Sequence, residues 1–259
     1  MRSPQRCRST TPRSGCRAWM TEEPGLTVDD PRRGFVQDLR ARFHSAVLDG
    51  TMVDEMWGQS CTAYNIQFEL SPESRATLCT AQAALASTQA PGVLRLVPPA
   101  ALHLSVAWLV EVRQSYALDR RKLWRRHGVE WLEQVREACA ETPPINLTFR
   151  WLVVTPAAII AVATPRAGVL SLRRALAETL RLPPETPAPS DLVHATIARY
   201  SSALTDAERL VGAAEQLTLS VPARFTEVEV SEEMVYPSLE KRVLGRLPLL
   251  GPSGAAHSV

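Results

Sequence analysis

Two short stretches decide how this chain reads: Leu102-His103-Leu104-Ser105-Val106 and Val193-His194-Ala195-Thr196-Ile197. Each runs apolar, His, apolar, hydroxyl, apolar. Successive side chains of a strand point to opposite faces, so His103 and Ser105 share one face while Leu104 and Val106 pack behind them. His194 and Thr196 repeat the arrangement. A general acid or base is thereby held beside a hydrogen-bond donor on a rigid element. The bare spacing is common by accident. Its weight comes from both copies lying in strand-like apolar runs, 91 residues apart, at equivalent places in an apparent duplication.

Working outward, Pro31 to Leu48 has helical spacing (Phe35, Leu39, Phe43, Val47), and Ala63 to Leu70 is extended. Ser71-Pro72 has the form of an N-cap followed by proline in the first turn, opening a helix that carries Leu78, Ala81 and Leu85 inward. Val93 to Val97 and Leu102 to Val110 are predicted strands, and Arg120 to Cys139 is an amphipathic helix. Pro143-Pro144 opens a second pass: a hairpin over Ile145 to Ala163, a helix with Val169, Leu172, Leu176 and Leu180 on one face, and a strand over Leu192 to Tyr200. Asp206 to Leu217 reads as helix. Phe225 to Val230 alternates with Glu227 and Glu229 outward, and Lys241 to Leu249 is a last strand. Two passes of strand, helix and strand with few, separated helices place the chain in the α+β class.

The 259 residues give room for one large domain or two lobes, and 45% apolar with 22% charged is an ordinary globular composition. Residues 1–30 read as a tail, either disordered or partly preceding a start at Met20; five arginines and no acid fall within residues 1–19. Without that stretch, 24 basic face 27 acidic groups, so any phosphate binding must be local. Residues 31–62 form a helical extension, 63–250 a bilobal domain, and 251–259 a C-terminal tail. No apolar signal core follows the basic start, which places the chain in the cytoplasm, and no run is long enough to span a bilayer. Five scattered cysteines show neither metal-ligand spacing nor a paired pattern, so reduced thiols are expected and no metal is called for.

With those residues in view, the chain resembles the two-histidine (2H) phosphoesterase superfamily. The closest branch is the bacterial 2′-5′ RNA ligase-like, or RNA 2′,3′-cyclic phosphodiesterase, group. The paired His-x-Ser/Thr signatures carry the likeness. Val97-Pro98-Pro99, Ala198-Arg199-Tyr200 and the terminal strand Val243 to Leu249 add to it, over roughly Tyr64 to Leu249. The resemblance implies two similar β-rich lobes with flanking helices around a central groove. It implies His103 and His194 as catalytic acid and base, and Ser105 and Thr196 as phosphate-binding hydroxyls. The substrate would be RNA ending in a 2′,3′-cyclic phosphate, or a small cyclic nucleotide, opened to a 2′-phosphate, with reversible 2′-5′ RNA ligation as a second activity. No cofactor, metal or obligate protein partner is implied. Alternatives are an ADP-ribose cyclic phosphate type phosphodiesterase, an RNA 3′-end exonuclease, and a non-catalytic nucleotide-binding module on the same fold.

The groove candidates are Tyr200 and Arg199. Strict alternation puts Tyr200 on the face of His194 and Arg199 on the other, unless a bulge re-aims it. Trp108 alternates away from His103 and reads as core, as do Trp124 and Trp131. His44, His127 and His257 read as solvated. The run Arg120, Arg121, Lys122, Arg125 and Arg126 reads as a solvated helical face rather than an RNA contact.

Overall fold

The computed structural model describes residues 34–251. Expectations placed on residues 1–33 and 252–259, including the arginine-rich tail, Cys7, Cys16 and His257, lie outside the described residues. The chain opens with helix α1 (Gly34–Asp49), strand β1 (Ser60–Glu69) and helix α2 (Pro72–Ala86). The cap signal at Ser71 operates: its Oγ accepts from the Ser74 amide at 3.2 Å, with Pro72 in the first turn. Strand β2 (Leu94–Leu96) and a 3-10 turn at Pro99–Ala101 precede β3 (His103–Val110). Helix α3 (Arg120–Ala140) starts at Asp119, whose side chain accepts from the Arg121 and Lys122 amides. The second pass is β4 (Ile145–Val154), β5 (Ile159–Thr164), α4 (Ala167–Thr179), β6 (His194–Tyr200), α5 (Ala207–Gln216), β7 (Val221–Phe225), β8 (Glu227–Val235) and β9 (Glu240–Pro248).

These strands make two antiparallel sheets, ordered β3-β1-β8-β9 and β2-β6-β5-β4-β7. The class is α+β with two β-rich lobes, and each sheet holds one histidine strand. The lobes interleave in sequence. Strand β2, from the first pass, joins the second sheet beside β6, and β8 and β9 return to the first sheet. The alternating run at Phe225 to Val230 is therefore not one strand: Phe225 ends β7 in one sheet and Glu227 begins β8 in the other. Nor does Glu229 point outward. It is 2% exposed and bound by Lys241, Arg246 and Gln67.

One apolar core runs through both lobes. It joins Ile66, Phe68, Leu104 and Leu109 of the first sheet to Phe149, Leu152, Ala161 and Ile197 of the second, with Leu78, Trp131 and Leu172 from the helices. Phe68 stacks on Phe225 at 4.3 Å between ring centres, tying β1 to β7 across the sheets. Trp124 stacks on Tyr64 at 4.6 Å. Gly128 makes room for that ring, since a Cβ there would lie 2.7 Å from it.

Helix α1 packs Phe35, Val36 and Leu39 onto Val153, Ile160 and Val162. Val162 pairs with His194 and Ile160 with Thr196, so α1 covers β4 and β5 on the same face that carries the second motif. From α1, residues 51–59 cross between the lobes. The Asp54 amide donates to the Tyr200 carbonyl at one end, and the Gly58 amide donates to the Tyr236 carbonyl at the other.

Candidate active site

His103 and His194 open β3 and β6, each half-buried, each with its hydroxyl partner two residues on. The two strands share one burial sequence: His, hydroxyl and a third half-buried residue, with apolar positions between them. That third residue is Trp108 in β3 and Arg199 in β6, three positions after the hydroxyl. The reason is a bulge in each strand. Gln67 pairs with Ser105 but its neighbour Ile66 pairs with Ala107, so Val106 is the extra residue. Ile160 pairs with Thr196 and Ile159 with Ala198, which makes Ile197 the extra residue of β6. One inserted residue flips the faces beyond it.

Three sequence readings change as a result. Arg199 turns to the histidine face. Tyr200 is fully buried, its hydroxyl donating to the Thr155 carbonyl at 2.7 Å, and forms no groove wall. Trp108 is half-buried beside Ser105 rather than core. A signal for the β6 bulge stands in the sequence: two consecutive apolar residues, Ile197-Ala198, follow Thr196 where alternation calls for one, whereas in β3 the unbroken apolar run Val106 to Val110 carries no such mark.

The imidazoles are held alike. Nδ1 of His103 lies 2.8 Å from the Ala101 carbonyl, and Nδ1 of His194 lies 3.2 Å from the Leu192 carbonyl. A carbonyl only accepts, so Nδ1 carries the proton and Nε2 of a neutral ring offers a lone pair. In His103 that lone pair faces the Ser105 hydroxyl at 3.2 Å. Burial pushes both histidines down to about 4, the carbonyl bonds opposing it only in part. Nearby charges add to this: Arg199 disfavours the charge on both rings, Lys241 on His103, and Arg173 and His103 on His194. Residues from two lobes and 91 positions apart thus share one electrostatic environment.

Arg199 lies against Asp54, with Nε 3.2 Å from Oδ2, and its guanidinium sits 5.5 Å from the Tyr236 ring centre. Arg95, cross-strand partner of Arg199, donates to the Asp54 carbonyl at 2.7 Å. Arg113 reaches Oδ1 of the same side chain at 3.3 Å and the Tyr236 hydroxyl at 2.8 Å. Asp54 carries no motif, and its place could not be read from the chain. Of the basic run on α3, Arg120 is structural, donating to the Val112 and Gln114 carbonyls, while Arg121, Lys122, Arg125 and Arg126 are exposed. His44 is exposed, and His127 stacks near Trp131.

Cys61, Cys79 and Cys139 are unpaired thiols whose ionisation burial disfavours. Among the described residues no group of three or more His, Cys, Asp or Glu is placed to hold a metal ion, and no helix is long and apolar enough to cross a membrane.

No protein-family profile and no curated protein sequence matches this chain. Solved structures do. TT0787 of Thermus thermophilus is 18% identical with a TM-score of 0.55, over 74% of this chain and 100% of its own. E. coli LigT complexed with phosphate is 16% identical with a TM-score of 0.50, over 74% of this chain and 99% of its own. The chain therefore carries the fold of TT0787 and LigT, with one histidine strand in each of its two sheets.

Proposed function

We propose that this protein is a two-histidine phosphoesterase that opens the 2′,3′-cyclic phosphate of RNA or of a small nucleotide to a 2′-phosphate. The observation that carries the reading is the matched pair of strands, each presenting an imidazole Nε2 and a hydroxyl on one face. An anionic phosphodiester seated between them raises both imidazole pKa values, because a nearby negative charge favours the protonated ring. One ring then takes a proton from water while the other, protonated, gives one to the departing ribose 3′ oxygen. Ser105 and Thr196 donate to the non-bridging oxygens, where charge grows in the transition state. Arg199, aimed to this face by its bulge, adds a cation. Trp108 offers a flat face for the base. With a ribose 5′-hydroxyl in place of water, the same opening forms a 2′-5′ linkage as the 3′ oxygen departs, and that joining is reversible. The solved structure of LigT, a protein of this fold, is a complex with phosphate.

The test is direct. Purified protein is incubated with 2′,3′-cyclic nucleotides and cyclic-phosphate-ended RNA, and products are separated as 2′- or 3′-phosphates. A 2′-phosphate formed at a rate that His103→Ala and His194→Ala each reduce by about 10²-fold or more supports the reading. Near-full activity in either variant, or binding of 2′-nucleotides without turnover across the panel, overturns it.

A further inference from the structure

Arg173 lies on the buried face of α4 between Leu172 and Leu176, only 7% exposed, and no carboxylate lies within ion-pair distance among the described residues. Its guanidinium is used up by backbone carbonyls of both motifs. Nε donates to Val106 O at 3.0 Å and Nη2 to Ser105 O at 2.7 Å, at the bulge of β3. Nη1 donates to Ser190 O and to Leu192 O, the latter at 3.2 Å, on the approach to β6. Leu192 O is also the acceptor of the His194 Nδ1 proton. The equivalent carbonyl for His103, Ala101 O, is not among the acceptors of Arg173.

Burying a guanidinium without an ion-paired carboxylate is unfavourable unless its donors are met, and here backbone carbonyls meet them while Asp191 favours the charge from farther off. Burial pulls this one down to about 10, still charged at neutral pH. Its planar fork is what the site uses: several donors in fixed directions that no lysine reproduces. We propose that Arg173 is a positioning residue that clamps the first-motif bulge to the strand approach of the second. It thereby fixes the separation of the two histidines and, through Leu192 O, the tautomer of His194. The catalytic consequence rests on the phosphoesterase reading above; the tautomer consequence does not.

Arg173→Met and Arg173→Lys keep most of the volume and remove the fork. Long-range ¹H–¹⁵N spectra of the histidine rings at pH 7, with signals assigned by His→Gln variants, read the tautomers without any substrate. In the parent protein both rings are expected as Nδ1–H tautomers. In the variants the His194 ring should move to a mixture of tautomers while His103 stays unchanged, an internal control for global damage. On cyclic-phosphate substrate kcat should fall about 10²-fold, with the folded fraction checked by thermal unfolding, as expected for displaced reacting groups. An unaltered His194 ring with kcat within about twofold of the parent overturns the proposal. So does loss of the fold in both variants, which would make Arg173 a stability residue. A parent protein inactive on cyclic phosphates would end the functional reading but leave the ring spectra to decide the clamp.

Discussion

The Asp54 carboxylate lies 3.2 Å from Nε of Arg199, and this ion pair joins the segment that crosses between the lobes to the strand of the second motif. Asp54 has a side chain only 3% exposed, so solvent does little to screen its contact with Arg199. It holds Arg199 from one side while Tyr236 backs the guanidinium from another. Asp54→Ala should therefore lower kcat/KM on cyclic phosphate by roughly 10- to 100-fold, since small displacements of a positioning group are expensive in rate. Arg199→Ala in the same background should add little, because the two residues act as one unit. Steady-state kinetics of the double-mutant cycle checks this.

The second prediction concerns pH and rate. In the free protein burial holds both imidazoles down to about 4, and the proposed mechanism needs one neutral and one protonated ring. The kcat/KM profile, which reports the free enzyme, should peak on the acid side of neutrality. The kcat profile reports the complex, where the bound anion favours protonation, and its maximum should lie at higher pH. Coincident profiles would show that phosphate does not approach the rings.

Stability should follow the same two groups. Their folded values lie below the unfolded value of 6.5, so between those limits the unfolded chain binds more protons. Above about 6.5 both rings are neutral in both states and their contribution is complete. As pH falls toward 4 it is lost. Urea midpoints at pH 7 and pH 4.5 should differ less in a His103→Gln/His194→Gln protein than in the parent.

Trp108 should act on binding. Stacking a base on an aromatic ring contributes about 1–3 kcal/mol. Trp108→Ala should weaken binding of a 2′-nucleotide about 5- to 150-fold and leave binding of inorganic phosphate nearly unchanged, as measured by calorimetry. Equal loss for both ligands would place Trp108 in the scaffold instead.

Tyr200 should do the reverse. Its hydroxyl satisfies the Thr155 carbonyl within the core. Tyr200→Phe should lower stability by about 1 kcal/mol and leave turnover within about twofold.

Most elements could be read in the chain because each carries its own local signal: the Ser71-Pro72 cap, the hairpin apolar run from Ile145, the spacing of Val169, Leu172 and Leu176. His103, Ser105, His194 and Thr196 stood out for the same reason, since alternation acts over five residues. What failed was whatever depended on a register change or a partner far away. One inserted residue in β6 exchanged the fates of Arg199 and Tyr200, and another in β3 brought Trp108 to the histidine face. Asp54 and Arg173 take their roles from contacts across the lobes, which no local pattern encodes. Strand β7 was missed because its five residues run straight into β8 with only Thr226 between sheets.

The exchange of strands between the two sheets makes the protein indivisible. Severing the chain at Pro143-Pro144 would leave an amino-terminal piece missing the two returning strands of its own sheet, and a carboxyl-terminal piece missing the edge strand that pairs with Ala198 to Tyr200. Neither piece is complete alone, and each holds what the other lacks. Such a pair suits a split reporter, in which recovery of the fold signals that the two halves have met.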